Sequence, residues 1–141
     1  MERKKILIVD DEQNILKALS LRFKAAGYDV VVAMDALQAV MMTHRHNPDL
    51  MILDIRMPGG GGLSVLEKLK SSIKTRNIPV IVASAFDDDE TRLKAKELGA
   101  VKFFRKPFDT EDLIKAVEEE LNPKPKLFVT KPDPAKTAGR M

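Results

Sequence analysis

Five polar residues each stand just beyond an apolar run. Asp10 and Asp11 follow Ile6–Val9, Asp54 follows Leu50–Leu53, Ser84 follows Ile78–Ala83, and Lys106 follows the weaker run Val101–Phe104. Three carboxylates brought to one place repel each other and stay ionised only beside a cation. Oxygen ligands without His or Cys suit a hard ion, and a carboxylate cluster that also meets phosphate suits Mg²⁺. A lysine and a hydroxyl on the far side would add a counter-charge and a hydrogen-bond donor. Such a group could stabilise a phosphoryl group passing in line onto one carboxylate, which then becomes an acyl phosphate.

The elements that would bring these residues together are legible in the pattern. The apolar runs, with Val30–Ala33 as a further one, are mostly continuous rather than alternating and rich in β-branched residues. Strands covered on both faces of a parallel sheet look like this. Helical spacing lies between them: Leu16, Leu19 and Phe23; Leu37, Val40, Met41 and His44; Leu63, Leu66, Leu69 and Ile73; Leu113, Val117 and Leu121. Glu90–Leu98 has few large apolar residues and should form the least firmly held helix. Asp35 with Gln38 resembles a capping box, Asp109 is placed to cap the last helix, and Gly27 and Gly99 sit where helices one and four should stop. The result is a (βα)₅ chain, which right-handed crossovers fold into an α/β three-layer sandwich. In a parallel sheet the strand ends share one edge, and ligands bind there where the strand order reverses. With the order 2-1-3-4-5, Asp10, Asp11 and Asp54 would lie side by side.

Composition narrows the class. The 141 residues set a prior of one domain. The absence of cysteine excludes a disulfide framework, a zinc–thiolate site and cysteine catalysis. The apolar runs are too short to cross a bilayer or to form a signal-peptide core, so a cytoplasmic protein is expected. Residues 122–141 hold four of the eight prolines and five cations against one acid, Asp133. They should form a mobile basic tail behind a domain over residues 1–121. The net charge of +3 comes from that tail and gives the body no hint of nucleic acid.

The sequence resembles the receiver domain of two-component response regulators. The matching stretches are Ile-Leu-Ile-Val-Asp10-Asp11-Glu, Asp49-Leu-Met-Ile-Leu-Asp54-Ile-Arg-Met57-Pro58-Gly59, Ser84-Ala85 and Phe103-Phe-Arg-Lys106-Pro107-Phe108, in order over roughly residues 4–121. The resemblance implies a flavodoxin-like fold with the sheet order 2-1-3-4-5. It makes Asp54 the phosphoacceptor. Asp11 and Asp54 become direct Mg²⁺ ligands, joined by the Arg56 backbone carbonyl and by Asp10 acting partly through water. Lys106 would pair with the phosphoryl group, and Ser84 would hydrogen-bond it and move toward it on activation. Phe103 matches the switch aromatic, and the Lys106–Pro107 bond is expected to be cis. The implied activity is a signalling switch that catalyses only its own phosphorylation and slow autodephosphorylation. The implied donor is a sensor histidine kinase or a histidine phosphotransfer protein. The output is contact with a downstream protein, or onward phosphotransfer, through helix four, strand five and helix five. A monomer, or a weak dimer through that same surface, is expected. No direct nucleic-acid or membrane contact is expected, and the chain could be the N-terminal piece of something longer.

Some positions depart from the pattern. The loop after the acceptor reads Gly59-Gly60-Gly61-Gly62 and should be mobile. Arg56 and Phe86, two positions past Asp54 and Ser84, could shield the phosphoryl group from water and slow its loss. Asp87–Glu90 reads as a cluster favourable to the dipole of helix four. His44 reads as a packed edge residue, and Met41 and Met42 as core filler. An FMN carrier is disfavoured because Asp10-Asp11-Glu12 would repel phosphate. An aspartate-nucleophile phosphatase is disfavoured because Arg56 stands where a second Asp would act. A docking module that keeps only the fold is disfavoured by the complete Asp/Asp/Ser/Lys set.

Overall fold

The computed structural model describes residues 2–57, 61–85 and 88–123. Five strands alternate with five helices: β1 Lys5–Val9, α1 Gln13–Ala25, β2 Asp29–Ala33, α2 Ala36–His46, β3 Leu50–Leu53, α3 Gly61–Lys70, β4 Val80–Ser84, α4 Asp89–Glu97, β5 Lys102–Arg105 and α5 Thr110–Leu121. The strands form one parallel sheet in the order β2-β1-β3-β4-β5. The expected flavodoxin-like three-layer sandwich is therefore the fold observed.

Each continuous apolar run feeds two cores. Leu7, Val9, Met51, Leu53, Val80 and Val82 pack under α2, α3 and α4. Ile6, Ile8, Leu50, Ile52, Ile81 and Ala83 pack under α1 and α5. Successive strand residues point to opposite faces and both faces are covered, so β1, β3 and β4 are apolar throughout except at Lys5, which opens β1, and Ser84, which closes β4. The helix punctuation also holds. Asp35 accepts from the Gln38 backbone N–H at 2.8 Å, while the Gln38 side chain accepts from the Met34 N–H at 2.9 Å. Asp109 accepts from the Glu111 N–H, and Gly27 and Gly99 take positive φ just past α1 and α4.

Two helical faces differ from the spacing. In α2 the sheet-facing side is Ala36, Ala39 and Thr43, whereas Leu37 and Met41 are exposed and His44 lies at the surface. Small residues let α2 sit close to the sheet, and the Asp35 cap fixes its phase, so the bulkier stripe turns outward. His44 is thus not a packed edge residue, and only Met42 of the two methionines packs against the core. In α3 the helix ends at Lys70, which leaves Ile73 beyond it and 77% exposed. The glycine run is likewise not all loop, because Gly61 and Gly62 open α3. Gly59 and Gly60 lie outside the described residues, as do Phe86, Asp87 and the tail from residue 124 on. As expected, α4 is thinly anchored: Ala95 is its one buried residue. No described helix is long and apolar enough to cross a membrane.

Candidate phosphoryl-acceptor site

Asp10, Asp54 and Lys106 are the first residues past β1, β3 and β5 and remain bonded to the ladder, Asp11 stands one residue further on, and Ser84 is the last residue of β4 itself. The Asp10 N–H donates to the Ala33 carbonyl, the Asp54 N–H to the Val9 carbonyl and the Lys106 N–H to the Ser84 carbonyl. Their side chains therefore emerge together at the C-terminal edge of the sheet, in the crevice where β1 and β3 part company. Asp10, Asp54 and Ser84 are buried, whereas Asp11 is exposed.

Both Asp54 oxygens are engaged. Oδ1 accepts from the Ser84 hydroxyl at 2.7 Å and the Arg56 N–H at 2.9 Å, and Oδ2 accepts from Lys106 Nζ at 3.2 Å. Asp10 repeats the local turn: its Oδ1 accepts from the Glu12 N–H at 2.9 Å, and its Oδ2 from Lys106 Nζ at 2.7 Å. Lys106 thus bridges the two buried carboxylates, and Glu12 adds a third acceptor at 3.4 Å. Burial pushes the Asp10 carboxyl above its ordinary pKa, against the opposing pull of Lys106 and the Glu12 N–H. Burial alone would lower the Lys106 ammonium, but its bond to Asp10 and the charges of Asp54 and Asp10 outweigh that and raise it.

One carboxylate oxygen from each of Asp10, Asp11 and Asp54 lies within 4.8 Å of the others. Hard oxygen donors so gathered, without His or Cys, fit a divalent hard cation such as Mg²⁺. The Lys106–Pro107 peptide is cis, as expected. Arg56 reaches out to Asp88 at the α4 N-terminus, 3.9 Å away with both side chains half exposed. Phe103 is partly buried against the core beneath α4, and the Arg92 guanidinium covers its ring at 5.2 Å from the centroid.

Two features escaped the sequence. Glu12 directly follows the aspartate pair, and that adjacency was the one available hint of its contact with Lys106. A groove of about 510 Å³ opens beside the site, with Ile15, Leu19, Pro107 and Phe108 among its lining residues. It joins α1 to the β5–α5 connection, which are distant in sequence.

Known proteins agree with this geometry. The family model for the response regulator receiver domain matches residues 6–118. The chain is 37% identical over 121 residues to sporulation initiation phosphotransferase F of Bacillus subtilis (strain 168), covering 86% of this chain and 96% of that protein. It is 36% identical over 113 residues to the probable transcriptional regulator ycf27 of Porphyridium aerugineum, covering 80% of this chain but only 46% of that protein. A CheY-like response regulator receiver domain protein from Methanospirillum hungatei JF-1 superposes with a TM-score of 0.82 at 26% identity, over 86% of this chain and 95% of that one. An acidic crevice on a 2-1-3-4-5 sheet and a family match across most of the chain lead to one conclusion: the chain belongs to the response regulator receiver domain family.

Proposed function

We propose that this protein is a phosphorylation switch whose Asp54 accepts a phosphoryl group from a phosphohistidine. The donor is a sensor histidine kinase or a histidine phosphotransfer protein. The observation that carries this reading is the Asp54 carboxylate itself, held on one oxygen by Ser84 and on the other by Lys106. Those two donors are placed to follow the charge onto an incoming phosphoryl group.

An Asp54 oxygen attacks the phosphorus in line. A P–O bond forms as the P–N bond breaks, and the departing imidazole nitrogen takes a proton from water. Lys106 and the Ser84 hydroxyl neutralise the phosphoryl oxygens as charge builds. Asp11, Asp54 and the Arg56 backbone carbonyl would hold Mg²⁺ directly, with Asp10 partly through water. Bound there, the ion supplies positive charge to the phosphoryl oxygens. Hydrolysis later returns inorganic phosphate and free Asp54. Arg56, with Phe86, would slow that step by screening the phosphorus from water.

Phosphorylation adds charge and strong acceptors at the crevice. Ser84 and Phe103 carry the change to the surface of α4, β5 and α5, where a downstream protein would read it. The groove beside Lys106, walled by Ile15, Leu19, Pro107 and Phe108, is where the apolar face of the phosphohistidine donor would dock. The unit over residues 1–121 would work in the cytoplasm, with residues 122–141 appended as a tail.

The test is to phosphorylate the chain from a histidine phosphotransfer protein and reduce the product with borohydride. That step converts an aspartyl phosphate to homoserine, which peptide mass spectrometry locates. Homoserine at position 54 is expected. Modification at any other residue, or at none, contradicts the reading.

A further inference from the structure

Ser84 is fully buried, and its hydroxyl already sits on Asp54. The serine half of the switch is therefore made before any phosphoryl group arrives. Phe103 is different. Val82 pairs with Phe103 in the β4–β5 register, and both pack in the core beneath α4. Ser84 lies two residues past Val82, so it points to that same face. Phe103 and Ser84 thus share one layer, on neighbouring strands, under a helix with a single buried residue. One contact joining that helix to the ring is Arg92, whose guanidinium lies 5.2 Å from the Phe103 centroid. A cation this close to an aromatic face is attracted by the ring quadrupole. Arg92 is itself exposed, so its side chain contributes little to the core.

We propose that Arg92 is a positioning residue of the switch: its guanidinium holds the Phe103 ring in the resting arrangement and ties α4 to it. The inference rests on the reading of Asp54 and Phe103 given above. With the Ser84 hydroxyl already at the acceptor, Phe103 and the helix above it are the parts of the switch with the most left to change, and Arg92 touches both. Removing the cation should shift the balance toward the active arrangement without touching the phosphorylation chemistry. A partly exposed contact of this kind corresponds to about a two- to fivefold change in a two-state population.

The test uses the full chain labelled with ¹³C-phenylalanine and titrated with beryllofluoride and Mg²⁺, a stable mimic of the phosphoryl group. Ring resonances report Phe103, and the midpoint reports coupling to the site. Arg92→Met should lower the midpoint about two- to fivefold and move the unliganded Phe103 resonance toward its saturated position. Arg92→Lys, which keeps a cation over the ring, should stay near the wild type. A merely structural role would alter melting but would not be rescued by lysine in this way. If Phe103 moves in the wild type while Arg92→Met leaves midpoint and resonance unchanged, the proposal is overturned and the switch reading stands. If beryllofluoride does not bind the wild type, or binds without moving Phe103, the underlying reading fails and takes the proposal with it.

Discussion

Lys106 Nζ lies 2.7 Å from Asp10 Oδ2, joining two residues 96 positions apart in the chain. The same ammonium reaches Asp54 at 3.2 Å, and its side chain is only 14% exposed. One lysine therefore serves two buried carboxylates as a tethered counter-ion. Replacing it by Met leaves both charges facing each other with less compensation. The Lys106→Met domain should lose about 1–3 kcal/mol of stability at neutral pH without Mg²⁺. Added Mg²⁺ should recover part of that loss by mass action. Urea melts with and without the ion measure both effects, and a variant as stable as the wild type would remove Lys106 from this role.

Asp10 predicts a pH dependence with a definite sign. Burial holds its folded-state pKa above the ordinary value of 3.8, so the folded protein binds this proton more readily than the unfolded chain does. Stability tied to that proton is present at low pH and is lost as pH rises through the raised value. At neutral pH without metal the ionised carboxylate is therefore a net cost, and Asp10→Asn should melt higher than the wild type. The difference should shrink as the pH is lowered toward 3.8. A variant that melts lower at pH 7 would reverse the sign.

Gly62 is fixed by geometry rather than by looseness. A Cβ there would stand 2.6 Å from the Asp54 carbonyl oxygen and 2.7 Å from the Ile55 Cα, both backbone atoms. Its N–H also donates to the Ile55 carbonyl at 2.7 Å. Gly62→Ala should therefore cost about 1–3 kcal/mol and displace the segment that carries the acceptor. Thermal melting tests the first effect, and a weakened Mg²⁺ titration tests the second.

These cases show where the sequence was informative. Asp10, Asp11, Asp54, Ser84 and Lys106 were legible because each closes an apolar run, and a parallel sheet gathers such ends on one edge. The phase of α2 was not, because the helix has two competing stripes, and the small one, Ala36–Ala39–Thr43, packs closer. The glycine run suggested looseness, since nothing local announces that Gly62 meets the Asp54 backbone. Arg92 over Phe103 and Arg56 beside Asp88 are contacts between distant segments and leave no periodic trace.

Arg56 carries a kinetic prediction. It stands two residues past Asp54, and its guanidinium lies 3.9 Å from Asp88 at the α4 N-terminus. We expect slow loss of phosphate from Asp54, over minutes or longer. Arg56→Asn should open the site to water and speed that loss by about fivefold, the equivalent of about 1 kcal/mol in the barrier. Following the decay of the phosphorylated band after the donor is removed tests this, and a wild-type lifetime of seconds would count against it.

The most direct measurement is a phosphate-affinity gel after incubation with acetyl phosphate, run with and without Mg²⁺ for the wild type and for Asp54→Asn. A retarded band that needs Mg²⁺ and vanishes in the variant is the predicted result. A band that persists in Asp54→Asn, or none in the wild type despite Mg²⁺, would contradict Asp54 as the acceptor.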